Sequence, residues 1–158
     1  MMDTIQSLLD EAKEYGSISR AAVAWQAREG QTTEDAVIRN MLDMFAVMKD
    51  SLREGLSPDL RSVSGMVGGE AAKMLASDGA LYGLTAKAST YALAIAENNA
   101  CMGKIVAAPT AGSCGILPGV LIAAQEHLGL TDESIAEAMF TAAAIGRVIA
   151  LQATVSGA

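Results

Sequence analysis

The densest chemical signal in the sequence is the run APTAGSCGILPG, Ala108 to Gly119. Glycines and prolines punctuate a loop that delivers Thr110, Ser113 and Cys114 to the start of a helix. Backbone N–H groups at a helix N-terminus favour anions, so Cys114 is expected to have a lowered thiol pKa and to serve as metal ligand or nucleophile. The same spacing also suits a buried structural cysteine in a tight turn. Cys101 lies on an Ala-rich helix end without a glycine loop and reads as packing. The two cysteines are 13 residues apart, unlike a compact C-x-x-C site, and the single histidine, His127, is far along the chain from both. A zinc site built from these residues would need carboxylate help.

Two further runs carry polar chemistry. In SVSGMVGGEAAK (Ser62 to Lys73), Ser64, Gly65 and the glycines after them precede a helix, as in loops that hold a carboxylate or phosphate on backbone amides. The run fails both the Walker A and the G-x-G-x-x-G patterns. Its other reading is a tight turn that permits close helix packing. In AENNACMGK (Ala96 to Lys104), Glu97, Asn98 and Asn99 cluster at the end of an otherwise apolar helix. Buried amides demand partners, so Asn98 and Asn99 either support the neighbouring polar loop or cap the helix together with Gly103. His127 reads as a cation or donor near a helix C-terminus. Lys49, Asp50, Arg53 and Glu54 read as a solvated face.

The elements that must position these residues are helical. Apolar spacing at Ile5, Leu8, Leu9 and Ala12 predicts a helix from Thr4 to Tyr15, stopped by Gly16. Ser17 can cap a second helix ending near Gly30. Thr32 and Asp35 resemble a capping box that opens a longer helix, whose stripe runs from Val37 through Met41, Met44, Phe45 and Met48 to Leu52. Its methionines read as adaptable core filler. Residues 55–65 form a loop, the candidate boundary between peripheral helices (1–60) and the rest (61–158) of one helical domain. Short Glu70–Ala76 and long Leu84–Ala100 helices follow, with a connector bracketed by Gly79 and Gly83. Lys104 to Ala108 is extended, either an isolated strand or buried coil. Pro118 suits the first turn of a helix ending at Gly129, and Thr131 caps a last helix from Asp132 to about Thr154. The final helix then runs into TVSGA with no polar tail, which reads as a chain cut short.

Composition agrees. The chain has 158 residues, 51% of them apolar, with 30 alanines, 4% aromatics and a mean hydropathy of +0.31. Small side chains favour closely approaching helices over a β-sandwich, so the expected class is all-α: an Ala-rich multi-helix domain with Gly-rich loops leading into helix N-termini. Eleven basic against 18 acidic residues give a net charge of −7, which argues against nucleic-acid partners. The oiliest stretch, Phe140 to Val155, carries Arg147 and is short for a membrane span. Two cysteines make no disulfide scaffold, and a reducing cytoplasm is the expected compartment.

At these three polar segments the sequence resembles the α chain, or α domain, of the iron–sulfur-dependent L-serine dehydratases. PTAGSCGILPG beside ENNACMGKIVA carries the likeness, which runs from Ser62 to the end of the chain, while the first 60 residues share only helical, acidic character. The resemblance implies a lyase of amino-acid degradation and gluconeogenesis that converts L-serine to pyruvate and ammonia with a 4Fe-4S cluster. It implies that three cysteines hold the cluster and one iron stays open as a Lewis acid. Cys114 matches the first of these ligands, and the others lie beyond a Gly-Ala-Glu-Gly-Gly stretch whose threshold is Gly157-Ala158. Cys101 matches no ligand position. It further implies substrate contacts by Ser64, Gly65, Thr110 and Ser113, support from Asn98 and Asn99, and a β subunit or domain that completes the pocket. No residue is assigned as base. With one ligand of three, this chain is expected to be inactive alone and, exposing apolar surface, to form homo-oligomers. Two other readings stay open. One is a pyridoxal-phosphate lyase using Lys73, Lys87 or Lys104 with residues 65–69 as phosphate cup. The other is a non-catalytic helical interaction module.

Overall fold

A computed structural model describes residues 3–77 and 83–152. The expectations for Gly79 and for TVSGA lie outside the described residues. Those described form seven α-helices, one short 3-10 turn and no strand, so the chain is all-α. The extended Lys104–Ala108 segment pairs with nothing as a strand.

The chain divides into two compact units. Of the described residues the first takes 3–43 and 131–152, and its elements are α1 (Ile5–Tyr15), α2 (Ile18–Glu29), the first half of α3 (Glu34–Gly55) and α7 (Asp132–Gln152). Each helix start is capped by a hydroxyl. Thr4 Oγ1 accepts from Ser7 N at 3.1 Å, Ser17 Oγ from Arg20 N at 3.2 Å, and Thr131 Oγ1 from Ser134 N at 3.3 Å. For α3 the cap is Thr33, whose Oγ1 accepts from Ala36 N at 3.2 Å, rather than the Thr32 that the capping-box pattern picks out. Two adjacent threonines make the register ambiguous in sequence by one residue.

In this unit α2 buries Ala21, Ala22, Val23, Ala24 and Ala27, and α7 buries Ala136, Met139, Phe140, Ala144 and Val148. Alanines on the contact face let the two axes approach closely. Arg147 sits on α7 with its guanidinium 4.5 Å from the Trp25 ring centre and 3.0 Å from Asp3 Oδ1. A cation in an oily helix is thus held by an aromatic face and a carboxylate.

The second unit covers the described residues from 44 to 130, that is 44–77 and 83–130. It holds the rest of α3, then α4 (Glu70–Ala76), α5 (Leu84–Ala100), a 3-10 turn (Ala111–Ser113) and α6 (Ile116–Leu128). Helix α5 is its centre, packed by α6 and α4. Gly115, the N-cap of α6, and Gly119, one turn further on, both face Ala92 of α5. A Cβ on Gly115 would collide with the Ala92 carbonyl, and one on Gly119 would lie 2.6 Å from Ala92 N. Gly55 meets the Ala94 carbonyl in the same way at the end of α3. All three polar runs fall in this unit. The sequence loop at residues 55–65 lies inside it.

Candidate functional site

Three consecutive residues close α5. In an α-helix successive side chains turn by about 100°, so Glu97, Asn98 and Asn99 point to three different neighbours. The Glu97 carboxylate meets the start of α4: Oε2 accepts from Gly69 N and Ala71 N, both at 3.2 Å, and Oε1 accepts from Glu70 N at 3.0 Å. The amides that the Gly-rich run was expected to offer to a carboxylate do hold one, and it is the chain's own. Only 2% of Glu97 is exposed. Burial pushes its carboxyl above the usual range, the neighbouring Glu70 adds to that, and the amides oppose it. Glu70 lies below the usual range, chiefly through its hydrogen bonds with Glu97 and with the Gly68 amide.

Asn98 is also buried. Its amide donates to Ser51 Oγ at 3.1 Å, Glu54 Oε2 at 3.2 Å and the Lys104 carbonyl at 3.5 Å. These partners are structural, so its side chain joins the end of α3 to the strand-like segment rather than facing a substrate loop. Glu54 is exposed, as expected of a solvated face, and its carboxylate also accepts this bond from Asn98, while Asp50 and Arg53 pair at 2.7 Å on the exposed side. Asn99 turns the other way and donates to the Ala111 carbonyl at 3.0 Å. That same carbonyl accepts from Cys114 N at 3.4 Å. Asn99 is therefore a direct support of the cysteine loop.

Within that loop Thr110 and Ser113 close on each other. Their hydroxyls are 3.1 Å apart, and Ser113 Oγ donates to the Ala108 carbonyl at 3.0 Å. Both hydroxyls shape the turn. Cys114 follows it and is 1% exposed. Burial pushes its thiol pKa up, and its own amide opposes this without cancelling it. The expected thiolate-stabilising helix N-terminus is not decisive, because α6 starts two residues later and desolvation dominates. Ser64 and Gly65 form an exposed turn: Gly65 N donates to the Ser62 carbonyl at 2.8 Å, and Ser64 Oγ lies 3.2 Å from Ser62 Oγ. Arg61 anchors this loop from within, donating to the carbonyls of Pro58 at 3.1 Å and Gly68 at 2.9 Å. Half-buried Cys101 reaches the Val67 carbonyl at 3.8 Å.

A cleft of about 390 Å³ lies beside Glu97, lined by Met66, Val67, Glu70, Leu93 and Ala96. The first unit has its own cavity of about 500 Å³ between α1, α2, α3 and α7, and none of the sequence-predicted residues lines it. Sequence reading left Glu97 as one of a polar cluster and missed Arg61 and Ser51. A signal for Glu97 was present: a lone acid among alanines, in a chain whose Gly-Gly helix start needs an anion. Arg61 carried no signal beyond its place in a loop.

Among the described residues no three His, Cys, Asp or Glu side chains are gathered to hold a metal ion. Cys114 is a single buried thiol, so the described donor set does not fit a four-iron cluster. Two of the lysines considered for pyridoxal phosphate are already paired with acids: Lys87 with Glu126 at 2.5 Å, and Lys73 at 3.9 Å from Glu70.

A sequence model of the family described as serine dehydratase alpha chain matches residues 7–158. The chain belongs to the serine dehydratase alpha-chain family. It is 36% identical over its full length to a protein of Bacillus subtilis named as probable L-serine dehydratase, alpha chain. It is 34% identical, again over its full length, to the L-serine dehydratase alpha chain of Peptoniphilus asaccharolyticus. A shorter match, 44% identical over 43% of the chain and 15% of the relative, is to L-serine dehydratase TdcG of Escherichia coli. The chain spans about half the length of the two alpha chains, 54% and 56%. The family likeness thus extends through the first 60 residues, where the motifs alone had shown none. No solved structure gives a significant match.

Proposed function

We propose that this chain is part of an L-serine dehydratase, a lyase that converts L-serine to pyruvate and ammonia. The observation that carries the reading is the full-length likeness to two proteins named as L-serine dehydratase alpha chains. In the reaction the α-proton leaves to a base and hydroxide departs from the β-carbon, giving aminoacrylate. Its imine tautomer then takes up water and releases ammonia. The cofactor proposed is an iron–sulfur cluster, and Cys114, rather than Cys101, is the thiol that the family resemblance matches to one of its ligands. The described residues supply no companion ligands, so no step of the reaction is derived through the cluster.

The chain's own residues have narrower roles in this reading. Ser64 and Gly65 present an exposed polar turn to substrate. Thr110 and Ser113 hold the shape of the loop before Cys114, and Asn99 supports it through the Ala111 carbonyl. The substrate proposed is L-serine, and the partner is a β subunit or domain. Exposed apolar side chains on and beside both loops, Val63 (99%), Met66 (84%) and Met102 (84%), support a covering partner. A homo-oligomer and a reducing cytoplasm complete the proposal, the latter supported by two free cysteines. The experiment is anaerobic assembly with iron, sulfide and the partner chains that supply the companion ligands, followed by serine-dependent assay. Pyruvate and ammonium in equal amounts are expected; a loaded assembly that forms neither from L-serine contradicts the reading.

A further inference from the structure

The end of α5 ties together the two loops that carry the candidate site, and it does so through adjacent residues. Glu97 holds the amides of Gly69, Glu70 and Ala71 behind the Ser62–Gly65 turn. Asn99, two positions on, holds the Ala111 carbonyl that also receives the Cys114 amide. Between them Cys101 N donates to the Glu97 carbonyl at 2.9 Å, and Cys101 Sγ approaches the Val67 carbonyl of the first loop. Gly103 closes the helix end by donating to the Asn98 carbonyl at 2.8 Å, where any Cβ would collide with the Asn98 side chain. The geometry leaves little slack in this last turn.

We propose that Glu97 is a positioning residue: it fixes the Ser62–Ala71 segment to the end of α5 so that this loop and the Cys114 loop keep one relative placement. A buried group with three donors aimed at it has no alternative partner, so removing the acceptor frees three amides at once. The freed loop then drags on the last turn of α5, from which Asn99 reaches the other loop. The catalytic consequence rests on the serine dehydratase reading; the coupling between the loops does not.

The test compares wild type with Glu97→Met, which keeps the length and removes every acceptor, and Glu97→Gln, which keeps one carbonyl. Amide hydrogen exchange at Gly69–Ala71 and the rate of Cys114 alkylation are read together. Both are expected to rise about tenfold or more in Glu97→Met and by less in Glu97→Gln, with exchange along α2 and α7 unchanged. Asn99→Ala should raise Cys114 alkylation too, and the double variant should show less than the sum of the single effects. If Glu97→Met fails to fold, native-state exchange of the wild-type chain in low denaturant decides: the amides of Gly69–Ala71 and Cys114 are expected to open in one shared step. Separate openings, or a Cys114 rate that moves only as overall stability does, overturn the proposal. In the assembled enzyme Glu97→Gln should raise KM for serine several-fold with little change in kcat. Absence of serine turnover in wild type would sink the functional reading and leave the exchange and alkylation results standing.

Discussion

Cys114 and Glu97 show how far environment overrides residue type. A cysteine two residues before a helix suggests a reactive thiolate, yet at 1% exposure the cost of burying charge exceeds what one nearby amide returns. In the folded chain Cys114 should therefore alkylate slowly at neutral pH, behind half-buried Cys101, and accelerate only above the ordinary thiol value or on unfolding. Mass spectrometry of timed iodoacetamide reactions checks this; prompt labelling of Cys114 at pH 7 contradicts it. Glu97 works in the opposite sense to a surface carboxylate. Because burial beside Glu70 raises its pKa, its contribution to stability is complete below the ordinary value of 4.5 and declines as pH rises through the raised value. Glu97→Gln, which does not ionise, should flatten that part of the stability curve, and chemical denaturation across pH 4 to 8 measures it.

At the scale of elements, the packing of α5 on α6 depends on what is missing from the side chains. Gly119 lets α6 close on Ala92, and a Cβ there would press on backbone rather than on a flexible chain end. Gly119→Val is expected to cost about 1–3 kcal/mol and to loosen the α5–α6 pair, read as a lower midpoint in denaturant. Most helix boundaries were legible because spacing and punctuation agree: Gly16, Ser17, Gly129 and Thr131 sit where the caps are found. What lay beyond reach was long-range. No local pattern says that the amides of residues 69–71 meet a carboxylate 26 to 28 positions later, or that Asn98 and Asn99, adjacent and identical, serve α3 and the cysteine loop respectively. The candidate loops were visible from glycine, proline and hydroxyl spacing, whereas the burial of Cys114 depends on helices contributed from elsewhere in the unit.

For the whole molecule, charge and burial set the working range. The surface is acidic, with a net charge of −7, and one clasp between α5 and α6 joins Lys87, Tyr91 and Glu126. Burial alone would push Glu126 up, but hydrogen bonds from Lys87 and Tyr91 outweigh it and hold the carboxyl below 4.5; Lys87 is raised above 10.5 mainly by its bond to Glu126. The clasp therefore stabilises between those limits. It weakens as pH falls through the lowered Glu126 value and, separately, as pH rises through the raised Lys87 value. Both side chains are about two-fifths exposed, so solvent screening holds the effect to about 0.5 kcal/mol. Lys87→Met should lose that amount at pH 7 and low salt, and progressively less as the pH falls below the ordinary carboxylate value. An undiminished difference in acid would contradict the assignment.

Function at this scale is decided by serine turnover in the assembled enzyme, measured with Cys114 intact and with Cys114→Ser. Wild type is predicted to release pyruvate and ammonium one to one, and the serine variant to lose about a hundredfold or more of that rate while keeping its helical content and midpoint. Full turnover in Cys114→Ser, or none in a loaded wild-type assembly, would contradict the assignment of this loop to serine dehydration.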